Sequence, residues 1–230
     1  MPNACRSQPT LRLPLAVGCS LRNVPPTAKS MWCRRAVFGT VATAGSTRTP
    51  NRGLPMVEGR RSEVLRRFFS GVTEYAFCTE IGVADPPLVD YLSEMLVRFV
   101  RNEEIYSVRD VRGKRLDRVA DMLAEAQQRQ GPARRQVHRQ IGDFILFWTG
   151  LYPEVIDSVR QNGGKDSLID YPTQGKRAYY IASTIAVDKE YAPSEVLERL
   201  SKQFELCVYG LSEVRRQWEE RDGDSPLLVN

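Results

Sequence analysis

The residues best suited to chemistry lie between His138 and Tyr179. Asp143 falls in the most apolar stretch of the chain, beside Phe144-Ile145-Leu146-Phe147-Trp148. A carboxylate there must meet a hydrogen-bond donor or a guanidinium, or the fold bears several kcal/mol of desolvation. Tyr171, Tyr179 and Tyr180 are available donors, and His138, the single histidine of the chain, precedes Asp143 on the same stretch. Two readings follow. Asp143 is either an anchor held by an Arg or a Tyr of another helix, or the polar floor of a small ligand pocket with Tyr171, Tyr179 and His138. A catalytic carboxylate needs a second acid, a base or a metal, and the sequence offers none in reach, so no catalytic residue is assigned.

Other chemistries lack their residues. One histidine does not furnish a His-rich metal site, and there is no Cys-x-x-Cys pair for structural zinc. Gly163-Gly164-Lys165-Asp166-Ser167 lacks the earlier glycine of a phosphate loop and has Asp where Ser or Thr should follow the lysine. No Gly-x-Ser-x-Gly elbow is present. Neither a metal nor a cofactor is expected. Cys78 and Cys207 have apolar neighbours, which predicts inert core thiols and a reducing compartment, the cytoplasm.

The elements that must carry these residues all read as helix. Glu58 to about Cys78 repeats apolar residues at three/four spacing, from Val64 through Phe68, Phe69 and Val72 to Ala76. Asp85-Pro86-Pro87 is a cap followed by proline at the first helical position, opening a helix that ends near Arg101-Asn102. A third helix is predicted from about Lys114 to Gln130, broken by Gly131-Pro132. The fourth, about Ala133 to Thr149, is apolar on nearly every side and should be the central helix, with Gly150 ending it in a left-handed cap. Short helices follow from Pro153 to about Arg160 and from about Thr173 to Val187, where Gly175 suggests a close helix approach. The last helix, about Ser194 to Arg221, carries Leu197, Leu200, Phe204, Cys207, Leu211, Val214 and Trp218 as a heptad seam. That seam packs in the chain's own core, or it serves a protein partner or self-association. The expectation is an all-α fold, a single bundle of six to seven helices over residues 58–230.

Charge divides the chain. Of 230 residues, 33 are Lys or Arg and 28 are Asp or Glu, a net +5. Residues 1–57 hold eight bases and no acid, which leaves 25 bases against 28 acids and a net −3 on the remainder. The leader has no apolar period and is rich in Pro, Ser, Thr and Arg, so it is expected to be disordered. It also reads as a mis-called start, with Met31 or Met56 as alternatives to Met1. A third reading is export through the twin-arginine-like Arg34-Arg35 ahead of Ala36–Ala42. Within the helical part, bases cluster at Arg112–Arg118 and Arg129–Arg139. A helical hairpin would put those clusters at opposite ends, so they are expected to be solvated helix ends. No nucleic-acid partner is expected for the body. No stretch reaches the roughly 20 apolar residues of a transmembrane helix.

Ile141-Gly142-Asp143-Phe144-Ile145-Leu146-Phe147, with Thr149-Gly150-Leu151-Tyr152-Pro153-Glu154, resembles a motif of an uncharacterised family of bacterial all-helical proteins. Tyr171, Gly175 and Ala178-Tyr179 resemble its second motif, Tyr-x-x-x-Gly-x-x-Ala-Tyr, with Pro172 as a departure. The likeness covers about Glu58 to Arg216. It implies a helical cytosolic protein and no activity. The function expected is therefore a non-enzymatic interaction or scaffold role, with a ligand-binding or enzymatic bundle at Asp143, Tyr171 and Tyr179 as the alternative.

Overall fold

The computed structural model describes residues 56–100, 102–161, 165–186 and 192–223, and most of the leader lies outside them. The described chain is an all-α bundle. Its one extended pairing is an isolated antiparallel bridge between Arg109 and Arg115.

Helix α1 (Met56–Glu74) widens into a π segment (Tyr75–Ile81) that ends at Gly82, whose φ of 77° is left-handed. Helix α2 (Pro86–Phe99) starts as its sequence demands. The Asp85 carboxylate accepts from the Leu88 N–H at 3.3 Å, and Arg199 holds that carboxylate through both oxygens at 2.7 Å. A one-turn helix α3 (Asn102–Ile105) follows.

The third predicted helix is shorter at both ends. Helix α4 spans Val119–Gln128, and Lys114–Leu116 belongs to a tight hairpin instead. The reason is local. Asp110 accepts the backbone N–H groups of Arg112 and Lys114 at 2.8 and 2.9 Å, and Gly113 takes the left-handed conformation that closes the turn. Leu116 N–H then bonds Val108 C=O across the hairpin at 2.9 Å.

Helix α5 (Gly131–Leu151) is the central one, buried without interruption from His138 to Trp148. It packs on α4, on α6 (Pro153–Gln161), on α7 (Tyr171–Thr184) and on the last helix. Gly150 does not end it. That glycine is helical and faces Leu211, where a Cβ would lie 2.7 Å from the leucine's own Cβ, so its role is close approach. Gly175 acts in the same way against Phe204.

The predicted last helix is two: α8 (Ser194–Lys202) and α9 (Phe204–Gly223), bent at Gln203. Leu197, Leu200, Phe204, Cys207, Leu211 and Val214 are all buried in the chain's own core. Trp218 packs edge-on against Phe68 and Phe69 of α1. The seam from Leu197 to Val214 therefore offers no free face to a partner. Among the described residues no helix is long and apolar enough to cross a membrane.

Candidate functional site

Asp143 is wholly buried at the middle of α5, and three donors reach it. The Tyr91 hydroxyl donates to its Oδ1 at 2.6 Å and the Tyr179 hydroxyl to the same oxygen at 2.8 Å. The Arg98 guanidinium donates to Oδ2 at 3.0 Å and also lies over the Phe99 ring. Tyr91 and Arg98 stand two turns apart on one face of α2, and Tyr179 comes from α7. One carboxylate thus ties three helices. Burial first, and then the Asp143 charge, push both phenols far above the ordinary tyrosine range, so both stay protonated donors. Gly142 makes the contact possible, because a Cβ there would lie 2.8 Å from the Tyr179 ring.

Tyr171 is not part of this junction. Its hydroxyl donates to Asp166 at 3.3 Å, so the expected trio of Asp143, Tyr171 and Tyr179 is split between two carboxylates. Asp166 is itself buried and accepts the N–H groups of Val119 and Ala120, each at 2.9 Å. Arg118 gives α4 no side-chain cap, so the helix borrows one from Asp166, some 46 residues along. In the stretch set aside as a failed phosphate loop, Asp166 serves as that cap, and Gly163 and Gly164 lie outside the described residues.

A third junction closes the end of α5. Arg215 of α9 donates to the Leu151 carbonyl at 2.7 Å, pairs with Glu154 at 2.7 Å and covers the Tyr152 ring. At the other end, Arg135 donates to the carbonyls of Ala182 and Ala192 at 3.0 and 2.8 Å and joins α7 to α8. Arg135 and Arg139 are buried, which corrects their assignment to a solvated helix end.

His138 is 5% exposed, and neither ring nitrogen has a hydrogen-bond partner among the described residues. Burial, with the positive charges of Arg134 and Arg177 beside it, lowers its pKa to about 4. It is neutral at physiological pH.

The thiols divide. Cys207 is buried, and burial pushes it up to about 12. Cys78 is exposed, contrary to expectation, because the Tyr75–Ile81 segment turns Ala76 and Phe77 inward and leaves Cys78 outside. Among the described residues no three His, Cys, Asp or Glu side chains are gathered to hold a metal.

Sequence reasoning found Asp143 and Tyr179 and missed Tyr91, Arg98, Arg135 and Asp166. Tyr91 and Arg98 carried a usable signal: two polar residues seven apart on the apolar face of α2. No family model, no curated protein and no solved structure matches the chain.

Proposed function

We propose that the chain is a non-enzymatic, protein-binding helical bundle of the cytoplasm. The observation that carries this reading is the use made of the motif residues. Asp143 gives both oxygens to Tyr91, Tyr179 and Arg98, and Glu154 is held by Arg215. Gly142, Gly150 and Gly175 each admit a side chain of another helix. The stretch most suggestive of a reactive site is thereby spent on holding helices together. The same pattern supports grouping the chain with the bacterial helical family that it resembles, since Gly142 and Asp143 of one motif meet Tyr179 of the other.

Binding then falls to the surface. Tyr75 and Tyr209 are 40% and 60% exposed where the π segment meets α9. The Tyr75 hydroxyl meets Glu80 first, and the charges of Arg216 and Glu213 on α9, two turns and one turn beyond Tyr209, also reach it. Tyrosine offers large contact area with little rotamer entropy to lose, which suits an interface anchor. The free thiols Cys78 and Cys207 support a reducing compartment.

Sedimentation velocity over a wide concentration range, combined with cross-linking in host extract, tests the reading. The double variant Tyr75→Ala/Tyr209→Ala should weaken association and leave the melting temperature unchanged. A chain that is monomeric at every concentration and cross-links to no protein would sink it.

A further inference from the structure

The basic clusters expected at opposite ends of a helical hairpin are joined in the structure. Residues 109–115 form a hairpin rather than the first turn of α4, and it folds back along that helix. Arg129, just past the end of α4, donates from its Nη2 to the Arg109 carbonyl at 3.4 Å, so the hairpin lies against that end. Helix α5 opens two residues later, and Arg134 projects from its first turn. Helix α7, which carries Arg177, packs along α5 and so brings a third element to the stripe, and the charges of Arg134 and Arg177 both lie beside His138. Tyr180, 57% exposed, follows Arg177 by one turn.

The charges along this path are available. Arg112, Lys114, Arg134 and Arg177 are exposed, and none has an ion-pair partner among the described residues. Of the four acids between Arg109 and Arg129, three are already engaged: Asp110 accepts inside its own turn, Asp121 pairs with Lys165 at 2.7 Å and Glu125 is held by Arg129 at 2.6 Å, while Asp117 is exposed. The hairpin is also rigid. Asp110 N–H bonds Lys114 C=O at 2.9 Å, Gly113 N–H bonds Asp110 C=O at 3.0 Å, and Arg109 Nη1 donates to Gly113 C=O at 3.0 Å. Cations on a preorganised loop lose little freedom on binding.

We propose that this stripe, from Arg112 and Lys114 past Arg129 to Arg134, Arg177 and Tyr180, binds the backbone of single-stranded nucleic acid. Spaced arginines match phosphates, and an exposed tyrosine beside them offers a face on which a base can stack. A duplex offers no unstacked base to Tyr180, and an anionic bilayer would ask for a broader apolar edge than Val111 at the hairpin tip. The proposal goes beyond the protein-binding reading, which uses Tyr75 and Tyr209 on other elements, and either can fail without the other.

The test uses the full chain and a fluorescein-labelled single strand, with affinity measured by anisotropy across salt concentrations. The quadruple variant Arg112→Gln/Lys114→Gln/Arg134→Gln/Arg177→Gln removes four cations from the stripe. A control, Arg66→Gln/Arg67→Gln/Arg160→Gln/Lys202→Gln, removes four from α1, α6 and α8, so the basic leader contributes equally to both. The stripe variant should flatten the dependence of log K on log salt by about 3 and bind at least about 10-fold more weakly than the control at moderate salt. Tyr180→Ala alone should lose at least about five-fold, the lower end of a base-stacking contact. Equal losses in the two quadruple variants would overturn the proposal. So would no binding by the parent chain, or binding to phosphatidylserine vesicles but not to the strand.

Discussion

Asp143 is costly to bury and costly to lose. Its oxygens satisfy two buried phenols and a largely buried guanidinium, so Asp143→Asn leaves Arg98 facing an uncharged group where little water reaches. We expect a loss of about 3 kcal/mol or more in urea unfolding. Tyr179→Phe, which removes one donor and keeps the ring, should cost about 1 kcal/mol. The reverse order would mean that the Tyr179 hydrogen bond, rather than the carboxylate charge opposite Arg98, holds the junction.

His138 makes a prediction in pH. Its folded pKa of about 4 lies below the ordinary 6.5, so the unfolded chain binds a proton that the folded chain refuses. The stability contributed by its neutral state is complete above pH 6.5 and is lost as pH falls from there toward 4. The loss amounts to about 3 kcal/mol if the whole shift is realised. The charged neighbours are Arg134 on its own helix and Arg177 on α7. Replacing His138 with Gln should flatten the melting-temperature profile in that window; an unchanged slope would assign acid sensitivity to other groups.

At the scale of elements, α4 shows how a helix boundary escapes local rules. Its apolar period runs back to Leu116, and the sequence alone extends it to Lys114. The start is decided by Asp166, which is remote in sequence and accepts the first free N–H groups. Asp166→Ala should cost about 1–2 kcal/mol and raise hydrogen exchange at Val119 and Ala120 before any other α4 amide. Gly150 was misread for a related reason. A glycine near a helix end looks like a terminator until the neighbouring helix is in view, and Leu211 supplies the real constraint. Gly150→Ala should destabilise by about 1–3 kcal/mol through overpacking, visible in thermal melts.

Over the whole molecule, the parts legible in sequence were those with strong periodicity. The α1, α2, α5 and α7 segments, the Asp85 cap and the inward seam of α8 and α9 all follow from apolar spacing and from one capping residue. The illegible parts depend on partners far along the chain: Tyr91 and Arg98 on Asp143, Asp166 on α4, Arg135 on Ala192. The local period does not name such a partner, even where, as at Tyr91 and Arg98, the spacing marks one side of the pairing. The α5 helix carries two such junctions, at Asp143 and at Leu151, eight residues and about 12 Å apart. At that separation Asp143→Asn and Arg215→Gln should add to within about 0.5 kcal/mol in a double-mutant cycle. A larger coupling would mean that α5 transmits strain between its two ends.

The Asp85–Arg199 pair spans 114 residues, and that distance has a meaning in time. A chain leaves the ribosome at about 5–20 residues per second, so Asp85 emerges about 6–23 s before the arginine that clamps it. Until then α2 has only the weaker Leu88 contact at its start, and Tyr91 and Arg98 wait for Asp143 with their polar groups still wet. The nascent bundle is therefore a set of unfinished helices whose last residues lock its first, and a premature stop before Arg199 should yield a product cleared by proteases rather than a shorter stable fold.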